Sequence, residues 1–161
     1  MWQRFKPYVI SVAAALAVGG LSSLASGNIE EAYSSIIRPP LAPPGWIFPV
    51  VWLVLFILMG IAAAIVWEEG KADISKQGDA KGALGIYALQ LAVNFFWPVA
   101  FFRLEWRLFT FFWLLILIAL VLAVKKRFTA INKTAGALLI PYILWLLFAA
   151  YLNIAVYILN G

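Results

Sequence analysis

The sequence predicts an all-α integral membrane protein, a bundle of five transmembrane helices in a single domain over residues 1–161. Three observations carry that prediction. Hydrophobic residues make up 65% of the 161 residues and charged ones only 12%, against roughly a quarter charged in a soluble domain. Mean hydropathy is +0.97, and a water-soluble globule of this length cannot hide so much apolar surface, which argues against soluble enzymes and disordered tails. Five uncharged stretches are each long enough to cross a bilayer, which takes about 17–25 helical residues. They lack period-two alternation of polar and apolar residues, which disfavours a β-barrel.

Charges mark the ends of each span. The first, about Tyr8–Ser26, follows Lys6 and is rich in small residues such as Ala13, Ala14, Ala15, Gly19, Gly20, Ser22 and Ser23. It does not read as a cleaved signal peptide, because four more spans of the same kind follow. The second, about Ile47–Trp67, stops at Glu68 and Glu69. The third, about Gly82–Phe102, lies between Lys81 and Arg103. The fourth, about Leu108–Val124, lies between Arg107 and Lys125, and the fifth, about Ala135–Leu159, follows Lys133. These four are rich in Leu, Phe, Val and Trp.

Five spans put the termini on opposite sides. Arg4, Lys6, Lys71, Lys76, Lys81, Lys125, Lys126, Arg127 and Lys133 fall on the N-terminal side, whereas Arg38, Arg103 and Arg107 fall on the other. The positive-inside rule then places the N-terminus in the cytoplasm, and the net charge of +5 is a topology signal rather than a nucleic-acid footprint. The loop Gly27–Trp46 faces out. It carries Pro39, Pro40, Pro43 and Pro44, which fix φ and remove donors, so a stiff, non-helical segment is expected. It reads either as a rigid linker or as a lid over a cavity between helices, since long ordered loops are usually functional.

The residue types that are missing narrow the chemistry. The chain has no Cys and no His, so a disulfide, a thiolate nucleophile, a Ser-His-Asp triad and a His- or Cys-ligated metal or haem are all excluded. No metal site and no required cofactor are expected. No charged residue lies inside any span, although proton relays and ion-coupled pumps usually need one.

Neutral polar and aromatic groups remain, and their spacing defines faces. On the third span Tyr87, Gln90, Asn94, Trp97 and Phe101 follow steps of 3, 4, 3 and 4, which is one side of a helix. Tyr142, Trp145, Ala149 and Asn153 share a side of the fifth span, and Trp52, Phe56, Met59 and Ala63 a side of the second. Amides lose hydrogen bonds in hydrocarbon, so these faces are expected to point at one another. Asn and Gln also act as interhelical glue. Trp2, Trp67, Trp106 and Trp113 are assigned to the interfacial belt. Trp52 and Trp145 share faces with ring or small side chains and are assigned to ligand lining, because a buried indole N–H requires a partner. A cavity walled by rings and a few amides suits a flat, conjugated ligand such as a tetrapyrrole or a polycyclic drug.

Three motifs resemble one family. The run Pro39-x-x-x-Pro43-Pro44-Gly45-Trp46-x-Phe48-x-x-x-Trp52, the run Gln90-Leu91-Ala92-Val93-Asn94-Phe95-Phe96-Trp97-Pro98 followed by Phe101-Phe102, and the run Pro141-Tyr142-x-x-Trp145-x-x-Phe148-Ala149-x-x-Leu152-Asn153 are similar to the first loop with the second helix, the third helix and the fifth helix of the translocator proteins. These are also called tryptophan-rich sensory proteins, TspO/MBR, or peripheral-type benzodiazepine receptors. The resemblance implies a five-helix bundle, commonly a homodimer, with a ligand cavity closed by the first loop. It implies binding of protoporphyrin IX, haem-like tetrapyrroles and drug-like polycyclic ligands, with porphyrin as ligand rather than cofactor. Carried over by motif, Tyr33, Pro43 and Phe48 cap the pocket, and Trp52, Phe56, Asn94, Trp97, Trp145 and Ala149 line it, with Ser23 as a further candidate. The chain departs from the family at Ala32 and Leu41, where many members carry Trp, so its lid is less aromatic. No Lys or Arg follows Tyr151 or Tyr157, so the family's sterol-recognition pattern is missing.

A receptor or sensor of tetrapyrroles is the leading reading. The alternatives are a light-dependent porphyrin-degrading enzyme, with Trp52 and Trp145 as oxidisable partners of the excited ring, and a passive carrier of tetrapyrroles or other apolar ligands. Arg38, beside the lid prolines, is a candidate partner for porphyrin carboxylates, and Arg103 and Arg107 lie on the same side. Self-association is expected through the third helix, where Ala88 and Ala92 are four residues apart with Gly85 near the same side. The expected location is the bacterial cell membrane.

Overall fold

The computed structural model describes residues 1–161, and its regular structure is all helical, without strands. Its helices are α1 (Trp2–Ala25), α2 (Ile29–Ser35), α3 (Ile47–Ala72), α4 (Gln77–Pro98), α5 (Arg107–Ile131), α6 (Lys133–Ala137) and α7 (Ile140–Asn160). Five segments are long and apolar enough to cross a membrane. They correspond one for one to the predicted spans, and the chain is an integral membrane protein.

The helices run past the charges that bounded the spans. α1 begins at Trp2 and carries Arg4 and Lys6 within it, because long basic stems reach the interface from inside a helix. Two spans are interrupted. Pro98 ends the regular part of α4, and Val99–Arg103 continues as a π-helical turn, in which Leu104 donates its N–H to the Val99 carbonyl at 3.1 Å. The fifth span is split at Leu138–Leu139. Pro141 has no N–H to give the Ala137 carbonyl, so the chain turns and restarts with proline in the first turn of α7.

The expectation of a wholly non-helical Gly27–Trp46 loop is corrected by α2. The prolines begin only at Pro39, and the residues before them carry a helix-start signal: Asn28 Oδ1 accepts the Glu31 N–H at 3.1 Å, with Glu30 and Glu31 in the first turn. The proline segment that follows is non-helical. Ala42 N–H donates to the Pro39 carbonyl at 3.2 Å and Leu41 has φ +68°, a type II turn with Leu in the position usually given to glycine.

Small residues let α1 and α3 approach closely. A Cβ on Gly60 would lie 2.5 Å from the Val12 Cα, so α3 and α1 touch backbone to backbone there. The ring of Phe56 occupies the space a Cβ on Gly19 would need. The buried core collects Leu55, Met59 and Val66 of α3, Leu114, Leu117 and Phe128 of α5, and Tyr142 and Leu146 of α7.

Candidate functional site

The polar faces meet at the centre of the bundle. Asn94 Nδ2 donates to the Tyr142 hydroxyl at 2.8 Å, and that hydroxyl donates to Gln90 Oε1 at 2.9 Å. Gln90 Nε2 approaches Met59 Sδ at 3.7 Å. One helical step further along, Trp97 Nε1 donates to Asn153 Oδ1 at 3.1 Å, and Asn153 Nδ2 donates to the Arg107 carbonyl at 2.7 Å. Gln90, Asn94, Tyr142 and Asn153 are all buried, and this chain of bonds pairs their side chains across α4, α5 and α7. The polar ends of Asn94 and Trp97 are therefore committed to helix contacts. Trp97 also stacks on Phe101 at 5.1 Å and 14°.

Aromatic rings cluster in two groups, one at this network and one nearer the loop. Trp52 lies 5.7 Å from Phe56 and 6.2 Å from Tyr142. Nearer the loop, Phe48 stands edge-on to Trp145 at 5.8 Å, and Tyr33 edge-on to Phe48 at 5.0 Å. The Tyr33 hydroxyl donates to the Pro43 carbonyl. The residues assigned to the cap, Tyr33, Pro43 and Phe48, are thus linked to one another and to Trp145. Ala149, one turn beyond Trp145, is buried. Trp145 Nε1 is buried and has no hydrogen-bond partner, an unpaired donor inside a ring-lined site.

Arg38 is exposed and its guanidinium sits 5.4 Å from the centre of the Tyr33 ring, a cation–π contact within the lid. Burial pushes the Tyr33 phenol above its usual pKa, and Arg38 pulls the other way, so the phenol stays a neutral donor to Pro43. The other outer arginines hold the ends of helices α1 and α7: Arg103 Nη1 donates to the Ala25 carbonyl and Arg107 Nη1 to the Gly161 carbonyl, each at 3.1 Å. Cations at helix C-termini are favoured by the dipole.

Two sequence assignments change. Ser23 is exposed, and its neighbour Ser22 turns inward, donating to the Phe95 carbonyl at 2.7 Å. Trp113 is no simple belt residue, because it is partly buried and its Nε1 donates to the Val93 carbonyl at 2.8 Å, pinning α5 to α4. Trp2, Trp67 and Trp106 are exposed, as belt residues are. Tyr142, which holds the centre of the network, shared the fifth-span face but was not assigned to the site. A cleft of about 450 Å³ at the N-terminal end, lined by Tyr8, Ile65, Glu68, Glu69, Ala72, Asn132 and Thr134, contains none of the assigned residues. Glu69 there is already paired with Lys76 at 3.2 Å and Asn132 at 3.0 Å.

Residues 10–159 match the model of the TspO/MBR family. A tryptophan-rich protein TspO of Archaeoglobus fulgidus is 35% identical over 95% of this chain and 96% of its own length. Protein CrtK of Rhodobacter capsulatus is 34% identical over 97% of this chain and 92% of its own. The translocator protein of Ovis aries is 37% identical over 75% of this chain and 70% of its own. With five membrane-spanning segments, the three aromatic motifs in order and a family match over nearly its whole length, the chain belongs to the TspO/MBR family.

Proposed function

We propose that the chain is a membrane receptor or sensor that binds porphyrins and drug-like polycyclic ligands between the lid and α3, α4 and α7. Family membership supports the receptor or sensor role. The observation that carries the ligand class is the buried, unpaired Trp145 Nε1 beside Phe48. A buried donor without a partner is costly, and a flat ligand bearing a nitrogen or oxygen acceptor relieves that cost while its face stacks on the rings. The rings of Tyr33, Phe48 and Trp145 stand against one another, so the ligand enters by parting Phe48 from Trp145.

Titration with protoporphyrin IX, followed by Trp fluorescence in the dark, is expected to give saturable quenching, and its absence refutes the reading. Repeating the titration under light separates the alternative: loss of the porphyrin Soret band faster than for free porphyrin adds a photo-oxidative reaction to binding. That chemistry needs only a ring near Trp52 or Trp145. Passive carriage is read from transfer of porphyrin into sealed vesicles.

Arg38→Ala is expected to weaken protoporphyrin IX binding several-fold and to leave a neutral polycyclic ligand unaffected. The effect should shrink with added salt, since an exposed ion pair contributes about 0–1 kcal/mol. Equal loss of both ligands assigns Arg38 to holding the lid through Tyr33 instead.

Homodimerisation is assigned to α4. Gly85, Ala88 and Ala92 are exposed while Tyr87, Gln90 and Asn94 are buried, so the small-residue side faces away from the site. Ala88→Leu with Ala92→Leu is expected to give monomer in detergent on size exclusion with light scattering, with porphyrin binding retained. A dimer that survives both changes uses another surface.

A further inference from the structure

The lid is tied to the last helix by two side chains that no ligand contact requires. Asn160, the final residue of α7, pairs with both backbone groups of Ile37: its Oδ1 accepts the Ile37 N–H at 2.8 Å, and its Nδ2 donates to the Ile37 carbonyl at 3.0 Å. The second Nδ2 proton goes to the Val156 carbonyl at 2.9 Å. Every hydrogen of the amide is used, so α7 itself orients the group toward the loop. Nine residues earlier on α7, the Tyr151 hydroxyl donates to the Pro40 carbonyl at 2.7 Å.

The segment between the two anchors is Ile37-Arg38-Pro39-Pro40. Two prolines fix φ, and the residue before the first is confined to extended backbone, so this segment is a short rod rather than a flexible tether. A rod held at both ends leaves its seat as a unit. Its release frees the turn at Leu41 and, through Pro43, the Tyr33 hydroxyl that positions the ring over Phe48.

We propose that Asn160 and Tyr151 form a latch that holds the lid shut, and that its release sets the rate of ligand entry and exit. The gating half of this inference rests on the ligand site proposed above; the latch half does not. Both anchoring bonds are exposed on the surface of the chain, where a single hydrogen bond is modest in net worth. The lid therefore opens often enough to exchange ligand, yet the latch biases it closed.

Hydrogen–deuterium exchange of the ligand-free protein tests the latch directly. Asn160→Ala is expected to speed exchange on the order of tenfold across the loop. That includes the Ala42 and Ile47 amides, whose own partners, the Pro39 and Pro44 carbonyls, are untouched. Exchange in the cores of α3, α5 and α7 should stay as it was. Acceleration confined to Ile37 means a local contact only and overturns the latch. Tyr151→Phe, which keeps the ring and loses one exposed bond, is expected to act in the same direction, and decides the matter should Asn160→Ala fold poorly. In stopped flow with protoporphyrin IX, both variants should raise association and dissociation rates together, with Kd changed less than either rate. Faster loop exchange with unchanged ligand rates removes the gating role. Faster loop exchange with no porphyrin binding in any variant, the native chain included, refutes the ligand assignment and leaves the latch standing.

Discussion

Gly60→Ala is expected to lower the thermal unfolding midpoint in detergent by about 5–10 °C, while Gly20→Ala leaves it unchanged or raises it. The two substitutions are chemically identical and differ only in what the new methyl meets. At Gly60 it would stand 2.5 Å from the Val12 Cα and 2.9 Å from the Val12 N, both backbone atoms, so α1 itself must shift. Overpacking costs about 1–3 kcal/mol, and a rigid backbone neighbour puts this site at the upper end. At Gly20 nothing lies within 4 Å, and Ala in place of a helical Gly gains about 0.5–1 kcal/mol of backbone entropy. Gly19 is intermediate, because its methyl would meet the Phe56 ring, which can swing but leans on Trp52. Intrinsic Trp fluorescence during heating reads all three. A Gly60→Ala variant that melts with the native chain would show that α1 and α3 are not in backbone contact.

Much of the bundle was legible because hydrocarbon is an unforgiving solvent. Gln90, Asn94 and Asn153 had to find partners inside the protein, and the 3.6-residue period names their faces, so the face carrying Tyr142 and Asn153 is expected to meet the face carrying Gln90, Asn94 and Trp97. The same period does not separate neighbours 100° apart on a helix made of small residues. Ser23 is the candidate the resemblance offers, but it is its neighbour Ser22 that meets α4, through the Phe95 carbonyl. Trp113 sits where a belt residue would, and only the position of α4 reveals a carbonyl within reach of its indole. The lid anchors were out of range for a different reason. Ile37 and Asn160 are 123 residues apart, and a lone Asn at a helix end carries no pattern. α2 was missed because the four prolines dominated the reading of the loop, although Asn28 with Glu30 and Glu31 was a helix start in plain view.

Trp145→Phe and Trp113→Phe are expected to move binding and stability in opposite ways. Each replacement keeps an aromatic ring and removes one N–H. The N–H of Trp145 is buried with no acceptor in the chain, so removing it relieves a desolvation cost of about 1–3 kcal/mol, offset in part by the volume lost with the smaller ring. Stability should hold or rise. Binding should fall about tenfold, since the ligand loses a hydrogen bond of about 0.5–1.5 kcal/mol and part of a stacked contact worth about as much again. If light drives porphyrin breakdown, that reaction should slow as well. Trp113 reverses the pattern: its N–H reaches the Val93 carbonyl at 2.8 Å, so its loss costs stability of about 1 kcal/mol, and nothing ties the indole to the lid or to the rings of α3 and α7, so protoporphyrin IX affinity should stay as it was. Fluorescence titration and thermal unfolding of the two variants side by side give four numbers with fixed signs. Equal loss of affinity in both would mean that Trp145 has no privileged contact with the ligand, and a fall in stability at Trp145 matching that at Trp113 would mean that its N–H is paired in the resting protein.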